Sequence, residues 1–211
     1  MPADGTIRLA DKPLAEWTPR ARSQQLAWLA QQDDQPFPIT VLEKVLTGAH
    51  ARLGRWQWEG EAELADARRW LAELDLTALA ERDMATLSGG ERRRVSLAAT
   101  LMQAAPLLLL DEPMAQLDVR HQLQALARLK RLCQSGQTVM LVSHDPNHAL
   151  HWATHVLLLA GDGQWQAGPV QTVLTAEQLS RLYHVPVQLL RGPEGQTGFL
   201  PDAQAGSDAW R

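Results

Sequence analysis

Cysteine is nearly absent. Cys133 stands alone in 211 residues, so no disulfide framework exists and the chain suits a reducing compartment. It falls in a helical stretch with no motif around it and reads as an ordinary partly buried thiol, not a nucleophile. Long apolar runs are missing too. The longest, near Leu107–Leu110 and Val156–Ala160, fall far short of the ~20 residues a membrane span needs. The opening "MPADGTIRLADKP" lacks the apolar stretch of a signal peptide. The chain therefore reads as soluble, with any membrane role coming through a partner. Neither sign of charge is in large excess. A net charge of -4 gives no footprint for nucleic acid or an anionic membrane surface. The eight Trp residues are scattered and not interleaved with basic residues, so they read as packing rather than a stacking platform. There is no internal repeat.

What is present is enough for one well-buried core with room for a subdomain: 211 residues, 45% of them hydrophobic. "GTIRLADKPL" reads as a short strand and turn, "QQLAWLAQQDD" as a strand ending near Gln31, and "ITVLEKVLTGAH" as a short helix. Apolar residues at helical spacing predict a helix from Glu61 to Leu79 and another from Gly90 to Gln103, broken by Pro106. "LLLL" at 107–110 is expected to be a central parallel strand buried on both faces, followed by a helix over Val119–Gln134 and a second buried strand, "TVMLV", at 138–142. Asp145 and Pro146 read as an N-cap and first helical residue. "THVLLLAGDGQWQAG" predicts a hairpin joined at "GDG", "TAEQLSRLY" a short helix and "VPVQLLR" a last strand. The Gly-, Asp- and Ala-rich stretch 192–211 reads as a flexible tail. The rhythm is that of an α/β parallel sheet over 1–32 and 95–191, interrupted by a mostly helical subdomain at about 33–94.

Two stretches carry chemistry. In "TLSGGERRRVSLAATL", Ser88 and Glu91 have the spacing of a helix capping box. The residues between them, Gly89 and Gly90, are poor helix formers. A capped surface helix with a loose first turn is the simpler reading of this stretch alone. The alternative is a helix start stripped of side chains so that an anion can reach its amides. In "LLLLDEP", Asp111 and Glu112 sit at the carboxyl end of a buried strand, where ligands bind in open α/β sheets. Two adjacent carboxylates there can split roles, one orienting a divalent cation through water and the other activating a nucleophilic water. A solvated acid pair in a turn is the plainer alternative. "LVSHDP" ends a second strand on Ser143, His144 and Asp145. Gln31 ends a third, from which its amide can reach a metal or the attacking water.

"LSGGE" (87–91), "LLLLDEP" (107–113), "MAQLD" (114–118) and "VSHD" (142–145), in that order, resemble the ATP-binding-cassette ATPases: the signature, Walker B with its catalytic glutamate, the D-loop and the switch histidine. "LAQQDD" resembles the Q-loop, with Gln31 its glutamine. The resemblance runs from about Gly5 to Arg191 and implies a P-loop NTPase-like sheet with an inserted helical subdomain. "FPITVLEKVLTGAH" and "DEPMAQLDVRHQ…SHDPNHAL" look most like subunits that power import of cobalamin, haem or iron–siderophore chelates, and "DEPM" with "DPNHAL" lean toward cobalamin. The resemblance implies ATP and Mg²⁺ as cofactors and two such subunits sandwiching two ATPs head to tail. Ser88, Gly89 and Gly90 would contact the γ-phosphate in trans, and Asp111, with Gln31, would serve Mg²⁺. Glu112 would polarise the attacking water, His144 would contact the γ-phosphate, and Asp118 would connect the two sites. It also implies permease subunits, a substrate-binding protein reached through them, no nucleic-acid partner, and a peripheral place on the cytoplasmic face of the inner membrane.

Three features depart from the family pattern. Arg93 stands where Gln is usual, and Met114 where Thr is common; both read as tolerable. The third is larger: G-x-x-x-x-G-K-[ST] occurs nowhere in the 211 residues, and none of the three lysines, Lys12, Lys44 and Lys130, follows a glycine. That loop holds the β- and γ-phosphates. The chain therefore reads as a family member shortened at its start, inactive alone, or else as a non-hydrolysing partner that lends its signature to another subunit's ATP.

Overall fold

The computed structural model describes residues 5–31, 38–53 and 59–202. They fall into two compact units, Met1–Val142 and Ser143–Arg211.

The first unit opens with a tiny hairpin, β1 (Arg8–Leu9) with β2 (Lys12–Pro13), then α1 (Pro19–Ser23). Its centre is a three-stranded parallel sheet in the order β3 (Leu26–Leu29), β4 (Leu107–Asp111), β5 (Thr138–Val142). Register places Trp28, Leu109 and Met140 side by side, and Leu29, Leu110 and Leu141 one step on. Strand side chains alternate between faces. One face is sealed: Ala27, Leu29, Leu108 and Leu110 are all at most 2% exposed. The other is not, with Trp28 70% and Met140 51% exposed. The expectation that "LLLL" is buried on both faces is thus corrected to one, and "TVMLV", expected as a buried strand, alternates exposed and half-buried residues. Leu107 and Leu109 stay half-buried.

α2 (Val41–Leu46), α3 (Glu61–Glu73) and α4 (Gly89–Met102) form the helical part. The expected subdomain at 33–94 holds α2 and α3, while 32–37 and 54–58 lie outside the described residues. α2 starts with a full capping box, Thr40 against Glu43. Val41, Val45, Ala67, Leu71, Leu76, Val95, Leu97 and Ala98 make a core from which water is excluded. α3 ends at Glu73, not at Leu79 as helical periodicity predicts. Asp75 turns left-handed at φ 55°, and the Leu76 amide donates back to the Leu71 carbonyl at 2.8 Å. This is a Schellman ending, with buried Leu71 and Leu76 as its apolar pair. α5 (Val119–Gln134) returns along the sheet. Its Arg128 pairs with Glu73 of α3 at 2.6 Å and lies 4.7 Å from the centre of the Trp70 ring.

The second unit comprises α6 (Pro146–Trp152), the hairpin β6 (His155–Leu159) with β7 (Trp165–Pro169), α7 (Val170–Val173), α8 (Ala176–Tyr183), and the hairpin β8 (Val187–Arg191) with β9 (Thr197–Pro201). Val170, Leu174, Leu179, Val187 and Phe199 form its core. β9 corrects the expectation of a flexible tail from Gly192. Gly195, at φ 84°, makes the turn. Asn147 then brackets Phe199, accepting its amide at 2.7 Å and donating to its carbonyl at 3.3 Å. The part of that tail over 203–211 lies outside the described residues.

Candidate functional site

Ser88 is the N-cap of α4. Its amide and hydroxyl donate to Glu91 Oε2 at 2.7 and 2.8 Å, and its hydroxyl accepts the Glu91 amide at 3.3 Å. The capping box is therefore complete. The Ser88 amide first, then its hydroxyl, hold the Glu91 carboxyl below its ordinary range.

Of the two glycines that follow, Gly90 is forced by the backbone beside it, whereas Gly89 faces only a side chain. A Cβ on Gly90 would lie 2.6 Å from the backbone oxygen of Gln116. A Cβ on Gly89 would lie 2.4 Å from the Gln116 side-chain oxygen. The start of α4 is thus seated on the "MAQLD" turn of its own chain. Gln116 is itself left-handed, at φ 64°. The sequence offers no signal for this contact, because Gln is not a residue that marks such a turn.

β4 delivers Asp111 to the carboxyl edge of the sheet, and Glu112 follows directly with φ 46°. Left-handed backbone at a non-glycine residue costs about 1–3 kcal/mol and gathers at functional sites. The 112–116 turn carries two such residues, Glu112 and Gln116, and ends on Asp118, the N-cap of α5. Asp118 accepts the His121 amide at 2.9 Å and meets His121 Nδ1 at 2.8 Å. These bonds, the amide first, lower its pKa.

Gln31 lies just past β3, exposed. Its backbone is tied to Asp111 through a residue the sequence marks only as a departure. Arg93, on α4 and 7% exposed, donates from Nη1 to the Ala30 and Gln31 carbonyls at 2.6 and 3.3 Å, and from Nη2 to the Asp111 carbonyl. The available signal was a charge on the apolar side of a helix, where an unpaired cation is too costly to keep. Among the described residues no three His, Cys, Asp or Glu converge to hold a metal. One carboxylate and one amide at a strand edge suit Mg²⁺, which keeps several waters and takes phosphate oxygens as further ligands. His144 opens the second unit, exposed, with its carbonyl accepting the Tyr183 hydroxyl at 3.4 Å. Burial first, then Asp145, push the Tyr183 pKa up. Asp145 caps α6 through the Asn147 amide at 2.8 Å. No helix among the described residues is long and apolar enough to cross a membrane.

Residues 1–115 match the family described as ABC transporter. The hemin import ATP-binding protein of Streptomyces coelicolor is 37% identical over 205 residues, covering 94% of this chain and 69% of that protein. An inward-facing metal-chelate type ABC transporter shares the fold at TM-score 0.76 and 30% identity, over 86% of this chain and 73% of that one. A dimeric bacterial ABC transporter cassette aligns at TM-score 0.66 and 25% identity, over 74% and 69%.

Proposed function

The chain belongs to the ABC transporter family, and on that premise we propose that it is the ATP-binding and ATP-hydrolysing subunit of an importer of metal chelates. One observation carries the reading. A single compact unit holds both a 14-residue helix that starts on a capped Gly-Gly and a parallel strand that ends on Asp111 and Glu112. Backbone amides at such a helix start favour an anion, and the strand end offers the carboxylates.

In this reading Ser88, Gly89 and Gly90 meet the terminal phosphate of an ATP held by a second copy of the subunit, and Asp118 connects the two sites. Asp111 would hold Mg²⁺ through water, and Gln31 would lie beside the metal or the attacking water. When bound, Mg²⁺ neutralises charge on the phosphates. Glu112 accepts a hydrogen bond from the attacking water and orients it. His144 donates to the γ-phosphate oxygen as charge shifts there. Transmembrane permease subunits are the mechanical partners, with a substrate-binding protein beyond them, and the chain sits at the cytoplasmic membrane face. The hemin-import relatives favour haem as cargo over the cobalamin expected from "DEPM" and "DPNHAL".

A second reading rests on the absence of G-x-x-x-x-G-K-[ST] from the 211 residues: a partner subunit that lends its signature and hydrolyses nothing itself. One pair of measurements separates the two. The 211-residue chain alone is expected to show no vanadate-sensitive ATP turnover. Fused behind the P-loop segment of the Streptomyces relative, it is expected to hydrolyse ATP, and Glu112→Gln in that fusion to abolish turnover while keeping ATP binding. Turnover retained in Glu112→Gln removes Glu112 from the catalytic role, and a fusion that binds ATP without turning it over favours the second reading.

A further inference from the structure

We propose that Arg93 is a positioning residue that sets Gln31 and Asp111, the two residues assigned to the metal edge, in fixed relation to the signature helix. The inference rests on the ATPase reading only for what those two residues do; the tie itself stands on geometry.

α4 starts at the Gly-Gly assigned above to the phosphate, and Arg93 is one turn further along. Its planar fork reaches the backbone carbonyls that close β3 and β4, Ala30 and Gln31 on one side and Asp111 on the other. Guanidinium donors to carbonyls are charge-assisted, and a rigid fork fixes direction as well as distance. Parallel strands diverge where their ladder ends. The last ladder partners here are Leu29 with Leu110, so the residues beyond them depend on other bonds for their spacing. Arg93 supplies those bonds from a buried position, and it does so from the same helix whose start is assigned to the other subunit's ATP. Asp111 and Gln31 are held through their carbonyls, which leaves their side chains available for ligation.

Hydrogen–deuterium exchange on the full 211-residue chain tests this without nucleotide, so its outcome does not depend on whether the chain hydrolyses ATP. In Arg93→Met, exchange in peptides covering 26–31 and 107–112 is expected to rise about tenfold, with α5 and the second unit unchanged. Arg93→Gln, whose amide keeps two N–H donors, should restore most of the protection. A uniform rise across the first unit would make Arg93 a general stabiliser and overturn the proposal, as would unchanged exchange at both strand ends. Should Arg93→Met fail to fold, Arg93→Lys carries the test. One ammonium cannot span both strand ends, so one of the two peptides is expected to loosen while the other stays protected. Full protection at both overturns the tie.

Discussion

Gly89 and Gly90 are neighbours, yet a methyl group added to each would meet different matter. At Gly90 it meets the Gln116 carbonyl, part of a left-handed backbone turn that cannot shift alone. Gly90→Ala is expected to lower stability by about 1–3 kcal/mol, the usual cost of overpacking. At Gly89 it meets the end of the flexible Gln116 side chain, which can swing away. Gly89→Ala is expected to change stability by less than about 0.5 kcal/mol, since better helix propensity offsets the displaced side chain. Urea unfolding of the two variants checks the difference, and equal effects would contradict it. The same residues show what sequence could tell. Ser88 and Glu91 were legible as a capping box. The packing of Gln116 on the glycines was not, because it depends on a left-handed turn in a segment more than twenty residues away. Arg93 was visible as a departure but not as a tie, since its partners are carbonyls, and a carbonyl leaves no mark in sequence.

Three capping carboxylates bring a pH dependence at this scale. Glu43 accepts the Thr40 amide and hydroxyl, Glu91 those of Ser88, and Asp118 the amide and ring of His121, and all three have lowered pKa values. A depressed folded value means the stabilisation is complete above the unfolded range, at roughly pH 4, and is lost as pH falls through the lower folded value. Unfolding free energy should therefore rise with pH across the acid range and then level. In Glu91→Gln that rise should be shallower when melts are compared from acid to neutral pH; an unchanged slope would show that Glu91 is not linked to folding.

At the scale of elements, α3 and α5 are joined by an ion pair stacked on an aromatic ring. Arg128 and Glu73 have side chains only 14% and 24% exposed, and the guanidinium covers Trp70. Around them, Asp75 Oδ2 accepts from Arg120 at 3.2 Å and Gln124 at 3.1 Å, and Arg94 donates to the Leu74 carbonyl at 2.8 Å. Arg128→Met leaves Glu73 partly buried without its partner and should cost about 1–2 kcal/mol, less than a fully buried pair because some screening remains. Adding Glu73→Leu should recover part of that loss in a double-mutant cycle. Additive losses would show the pair to be uncoupled. Element identity was largely legible. α5 and β5 begin and end where the sequence places them, because Asp118 caps one and the turn before Thr138 bounds the other. The early end of α3 was not legible, because an Asp in the left-handed conformation reads like any helical Asp. β9 was hidden by its composition: alternation in "TGFLP" is short, and its anchor, Asn147, lies far back in the chain.

At the scale of the molecule, one face of β3–β4–β5 carries Trp28 and Met140 in the open. The burial of a strand on one face or two is a property of what lies across from it. For that reason "LLLL" predicted a strand correctly and its surroundings incorrectly.

The central claim is that this chain's signature helix completes an ATP site on a second subunit. It is tested most directly by mixing two inactive variants of the fusion with the Streptomyces P-loop segment. One variant carries Gly90→Asp in this chain, and the other a substituted P-loop lysine. Each alone should be silent. The mixture contains one complete site per heterodimer and is expected to recover vanadate-sensitive ATP turnover. A mixture that forms heterodimers yet stays as silent as its parts would contradict the account.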